Sequence, residues 1–142
     1  MKWMFLPLKR YVDFDGRSSR SEFWWFLLFV LTVVIGLTAI GIGLGAYYYG
    51  RSDPTPLLGL PLVAAMIFLL AILVPLIAVM VRRLHDRDLS GWFVLINLIP
   101  YVGWLISIVF MMLPGTPGPN THGENPLEEQ AHQPDQLEQI FN

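Results

Sequence analysis

Three long runs without a charged residue restrict what this chain can fold into: Phe23 to about Tyr49, Leu57 to Val81, and Trp92 to Leu113. Each supplies the roughly 20 apolar residues needed to cross a hydrocarbon core. Backbone groups in lipid must satisfy one another, and runs this long and non-alternating do not make barrel strands, so they predict helices. The expected fold is therefore all-α, a polytopic helical membrane protein with three apolar segments and an N-terminal interfacial helix. The composition agrees, since 54% hydrophobic and 14% charged residues are too apolar a balance for an ordinary soluble domain.

Ahead of the first run, Trp3, Phe5, Leu6, Leu8, Tyr11, Val12 and Phe14 alternate with Lys2, Lys9 and Arg10, a mixture suited to the membrane surface, with Pro7 interrupting the helix. The apolar stretch between Lys2 and Lys9 is too short for a secretory signal, and the run from Phe23 is too long for a cleaved one, so a retained signal anchor is expected. Ser19-Arg20-Ser21-Glu22 predicts a capping box at the mouth of the first helix, followed by Phe23, Trp24, Trp25 and Phe26 as an interfacial aromatic anchor. Pro75 predicts a kink near Ala71.

The third run carries Pro100-Tyr101-Val102-Gly103 at its centre. A single kinked span of about 33 Å is the expectation; the alternative is a re-entrant hairpin of half-helices about 12 and 15 Å long. Residues 1–126 form the helical membrane domain, and residues 127–142 are a polar, acidic tail expected to be disordered. Basic residues flank the runs unequally. Lys2, Lys9, Arg10, Arg17 and Arg20 precede the first, Arg51 alone separates the first two, and Arg82, Arg83 and Arg87 follow the second. That bias predicts a cytoplasmic N-terminus, and a third crossing would leave the tail outside.

The densest polar cluster is Arg82-Arg83-Leu84-His85-Asp86-Arg87-Asp88. One helical turn separates Arg82 from Asp86, so these are expected to pair, with Arg83 and Arg87 reaching Asp13 or Asp15. Two readings stay open. Either Arg17, Arg20, Arg82, Arg83 and Arg87 contact headgroups or another anion, with His85 and Asp86 as a polar cluster able to move a proton, or the loop is topogenic only. Gly41 and Gly45 have the four-residue spacing of a helix-packing face, although glycine is common in membrane helices. Asn97 and Ser107 suit hydrogen bonds between helices. The Gly- and Pro-rich loop from Pro114 to Pro126 has a definite path and suits a structural lid; it can cover the arginines only from the same side of the membrane.

Several chemistries lack support. His85, Asp86, Asp88, His122 and His132 match no metal spacing, Ser90 beside His85 and Asp86 makes no recognisable triad, and no Gly-rich phosphate loop follows a strand. No metal, cofactor or catalytic residue is assigned. The chain has no cysteine, and a net charge of -2 without a basic run gives nucleic acid no foothold.

Gly16-Arg17 with Arg20, Glu22-Phe23-Trp24, Pro75, Arg82-Arg83-Leu84-His85-Asp86, Ser90-Gly91-Trp92, and Pro114-Gly115 through Asn120, Gly123 and Pro126 together resemble the domain-of-unknown-function 805 family. The resemblance covers about Trp3 to Pro126 and departs from the family at Thr121-His122, where a basic-aromatic pair is usual. It implies a bacterial inner membrane and no particular activity. The expected function is a non-enzymatic membrane protein that assembles with itself or partner proteins and contacts phospholipid headgroups. The rivals are a small transporter or channel subunit and an interfacial lipid-modifying enzyme using His85 and Asp86.

Overall fold

The computed structural model describes residues 2–48 and 59–127, in which every regular element is helical. α1 covers Lys2–Lys9, α2 Arg20–Tyr48 and α3 Leu60–His85, followed by a 3-10 arm, Gly91–Leu98, and α4, Val102–Met112. Among the described residues α2 and α3 are the two helices long and apolar enough to cross a membrane. The expected run ends at Tyr49 and Leu57, the loop residue Arg51, His132 and the acidic tail from residue 128 onward lie outside the described residues.

α2 and α3 run antiparallel. Glu22 at the start of α2 meets Arg82 at the end of α3, and Gly41, far along α2, faces Pro61 and Leu62. Among the buried residues of α2, Phe23, Phe26 and Val30 recur every three or four positions, and Ala65, Ile72 and Val79 of α3 recur every seven. Such spacings place one stripe of each helix in the contact and leave the other side chains to lipid. The same periodicity divides the expected aromatic anchor. Phe23 and Phe26 turn into the core, and Trp24 and Trp25 turn out.

α1 packs against both helices through the buried Leu6 and Pro7, with the Phe5 ring edge-on to Phe29 at 5.4 Å. Pro75 has no N-H, so the carbonyl of Ala71 loses its helical donor. The Tyr11 hydroxyl donates to that carbonyl instead. The break in α3 thereby becomes an attachment point for the N-terminal segment.

The third apolar run folds back on itself. Leu89 N-H donates to the Leu84 carbonyl at one end of the run, and at the other end the Leu113 carbonyl accepts from Arg83 at 2.7 Å. Both ends therefore return to the C-terminal end of α3, which corrects the expected third span to the re-entrant hairpin. The first arm is 3-10 and not α-helical, and that choice equalises the arms. Eight residues rising about 2.0 Å each give about 16 Å. Eleven α-helical residues at about 1.5 Å give nearly the same length, about half a hydrocarbon core.

The turn between the arms closes with local backbone hydrogen bonds, as suits a lipid environment. Ile99 N-H donates to Ile96 at 3.0 Å, Val102 to Pro100 at 2.7 Å, and Gly103 to Ile99 at 3.1 Å, while Pro100 has no N-H to satisfy. Tyr101 takes a positive φ of 62° to close it. Gly103 is buried where the arms touch, and a Cβ there would land on the Ile96 carbonyl. Gly103→Ala is expected to destabilise the fold by about 1–3 kcal/mol, the usual range for overpacking against a neighbour that cannot yield. Gly43→Ala, whose Cβ meets nothing within 4 Å, is expected to be neutral or slightly stabilising. Denaturant titrations in detergent check the contrast, and equal effects would contradict the hairpin contact.

Candidate functional site

The start of α2 carries the positive end of a helix dipole and the end of α3 the negative end, so an acid on the first and a base on the second are each favoured by their own helix. Glu22 and Arg82 occupy these positions, and their side chains pair at 3.0 Å. Ser18 hydroxyl donates to the other Glu22 oxygen at 2.7 Å, and Ser18 N-H donates to the Arg82 carbonyl at 3.2 Å. Asp13 lies 4.0 Å from Arg82 on the more exposed side. The expected capping box is therefore half formed. Glu22 N-H donates to the Ser19 hydroxyl at 3.3 Å, but the carboxylate is taken by Arg82.

A second ion cluster centres on Asp86. Arg83 donates to one carboxylate oxygen and Arg17 to the other, the latter at 2.9 Å. Each arginine also donates to backbone carbonyls. Arg83 reaches Ser18 and Met111, both at 3.2 Å, besides Leu113. Arg17 reaches Thr116 and Gly118, both at 2.7 Å. Asp86 thus fastens the N-terminal segment, the end of the hairpin and the Gly/Pro loop at one point. Gly115 is required there because a Cβ would collide with the Asp86 carboxylate.

The loop is also latched to the end of α3. Asn120 side-chain N-H donates to the His85 carbonyl at 2.9 Å, and Thr116 N-H donates to the Asp86 carbonyl at 2.8 Å. The Thr121 hydroxyl and amide donate to Asp88. His122 stacks on His85 with ring centroids 3.9 Å apart and planes 2° from parallel. His85 Nδ1 faces the Gly16 carbonyl at 3.2 Å, which places a proton on Nδ1, because a carbonyl only accepts.

These contacts redistribute the residues singled out in the sequence. Arg82 pairs with Glu22 in place of Asp86, and Arg83 with Asp86 in place of Asp13 or Asp15, because the N-terminal segment folds over the end of α3. Arg82 and Arg83 are each 0% exposed and Arg17 is 5% exposed, so headgroups do not reach those guanidiniums. Arg20 is exposed, and Arg87 lies over the Phe110 ring at 5.9 Å. Gly41 is spent on α3, whereas Gly45 faces open space, so the two do not form one free face. Asn97 donates to Val94 of its own arm at 2.8 Å, and Ser107 is buried in α4. Among the described residues no three His, Asp or Glu side chains group to hold a metal ion.

Sequence reasoning took Glu22 for a cap alone and missed Ser18, which is fully buried. The available signal was an acid in the first turn of a membrane helix, which demands a partner.

Residues 11–124 match the protein family described as "Protein of unknown function (DUF805)". The chain belongs to that family. The DUF805 match includes both ion clusters and the latched loop to Glu124. The chain is 40% identical over 131 residues to "Inner membrane protein YhaH" of Escherichia coli strain K12, covering 91% of this chain and 99% of the relative. It is 38% identical over 128 residues to "Inner membrane protein YhaI" of the same strain, covering 89% and 96%. No solved structure gives a significant match.

Removing one partner of a buried ion pair strands the other charge, at a cost of about 3–5 kcal/mol, whereas removing both is far milder. Arg82→Met is expected to destabilise by that amount, and Arg82→Met with Glu22→Leu to recover at least half, in denaturant titrations. A double variant as unstable as the single would exclude the pairing. The Thr121 hydrogen bonds hold the Asp88 carboxyl below its ordinary value of 3.8. A lowered folded value means that the latch is fully favoured above the ordinary value and lost as pH falls through the folded one. In a carboxyl NMR titration Asp88 is expected to titrate below 3.8, and Thr121→Val to bring it back up.

Proposed function

We propose that this DUF805 chain is a non-enzymatic protein of the bacterial inner membrane that assembles with itself through the outward face of α2. The observation that carries this reading is the open space beside Gly36 and Gly43, which lie seven residues apart on one side of α2 and where an added Cβ meets nothing within 4 Å. Exposed Ala39 and Ala46 lie between and beyond them. Small residues at such spacings let two helix backbones approach closely, which is how membrane helices associate when lipid removes the hydrophobic drive.

The titratable groups at the other end favour a structural role over turnover. Glu22 and Asp86 are committed to arginines, and His85 is held between the Gly16 carbonyl and the His122 ring. The inner-membrane location rests on the names of the two relatives. The excess of basic residues beside the spans supports a cytoplasmic location for the arginine-rich end. The hairpin returns to that end, so the N-terminal segment and the loop as far as Leu127 share the cytoplasmic side. There Arg20 is positioned for phospholipid headgroups, and Arg17, Arg82 and Arg83 act inside the fold.

Gly36→Leu with Gly43→Leu is expected to abolish most self-association, read by energy transfer between labelled chains in vesicles; undiminished transfer would reject the α2 interface. A reporter fused to the tail is expected to be active in its cytoplasmic form only. Activity of its periplasmic form would overturn the orientation.

A further inference from the structure

At the arginine-rich end a pocket of about 90 Å³ opens between the first turn of α2 and the loop, lined among others by Ser19, Arg20, Asp86, Thr116, Asn125 and Leu127. We infer that this pocket binds a phosphate group, carried by an anionic phospholipid, with Arg20 as its main counter-charge. The inference rests on the placing of this end at headgroup level.

Arg20 differs from the other arginines around it. Arg10 is paired with Asp13, Arg17 and Arg83 with Asp86, and Arg82 with Glu22, whereas Arg20 makes no ion pair among the described residues. Of the two charged side chains that line the pocket, Asp86 is answered by Arg17 and Arg83, which leaves the Arg20 guanidinium as the charge an anion would meet. The N-terminus of the 29-residue α2 adds the positive end of its dipole on the same side. Arginine's planar fork matches two phosphate oxygens at once.

The rest of the lining favours a phosphate with an apolar attachment. Pro114, Pro126 and Leu127 also line the pocket, and Leu127 is 60% exposed. One turn along α2 from Arg20, the exposed Trp24 occupies the position of an interfacial aromatic. A lipid phosphate held by Arg20 would leave its acyl chains running along α2 past Trp24.

Native mass spectrometry of the full chain released from phosphatidylcholine nanodiscs doped with phosphatidylglycerol tests the site. One retained phosphatidylglycerol per chain is expected. Arg20→Gln should lower the retained fraction by about 10-fold or more, the usual weight of a charge-assisted hydrogen-bond pair, and Arg20→Lys should lose less. Arg87→Gln removes a charge from the same end without touching the pocket and should retain lipid as the wild type does. Inorganic phosphate in the buffer supplies the second arm. If it displaces the lipid and binds in an Arg20-dependent way, the site is a phosphate site fed from solution. If Arg20→Gln retains lipid normally, the pocket proposal is overturned. If Arg20→Gln and Arg87→Gln lose lipid equally, only diffuse attraction at headgroup level survives and the pocket falls. If no variant or wild type retains anionic lipid or phosphate, both the pocket and the headgroup-level contact fail.

Discussion

Arg82 and Glu22 meet at 3.0 Å where α3 ends and α2 begins, almost entirely removed from solvent. In a soluble protein such a pair contributes little, because dehydrating two charges offsets most of their attraction. A membrane protein weighs it differently. Lipid is as apolar as leucine, so helices gain little by hiding apolar faces from it, and close packing with polar contacts must align them. Only 11% of the most apolar stretch of α2 is buried within the chain. The register of α2 against α3 consequently depends on the charged end, where each partner is also favoured by its own helix dipole.

The hairpin and the loop follow from that anchor. Once Arg83 stands at the end of α3 it has donors to spare, and the carbonyls of Met111 and Leu113 at the end of α4 accept them. An α4 that crossed the membrane would carry those carbonyls away and leave a buried cation without acceptors. Arg17 extends the same logic to the loop, whose carbonyls at Thr116 and Gly118 complete its coordination. The prolines and glycines of residues 114–126 are therefore a way of presenting carbonyls inward. Gly118 at a φ of 68° and Gly123 at 127° take backbone angles that other residues resist.

Much of this was legible from residue order. The runs from Phe23 and Leu57 gave two helices because length and lack of charge leave no other solution in lipid, and the loop's composition marked it as ordered. The pairing of the arginines was not legible. Helical spacing puts Asp86 one turn from Arg82, but spacing within a helix says nothing about a segment 60 residues away that brings in a stronger partner at Glu22. The third run misled for a related reason. Its 22 residues, none of them charged, are long enough to span, and only the acceptors at its far end, required by Arg83, draw it back. The Pro100-Gly103 break marked where a fold-back was feasible without deciding that it would occur.

Arginines buried in this way also explain why a charge-rich end need not be a chemically active one. A group that accepts or delivers protons in turnover has to change its charge, and each carboxylate buried here is paired with a buried arginine, Glu22 with Arg82 and Asp86 with Arg17 and Arg83. Protonating Asp86 would leave Arg17 and Arg83 without their shared counter-charge and loosen the N-terminal segment, hairpin and loop together. The cluster is thus poorly suited to acid-base cycling and well suited to fixing a surface. What it fixes is the junction of α2's first turn with the loop, so that whatever binds beside Arg20 meets a preorganised wall.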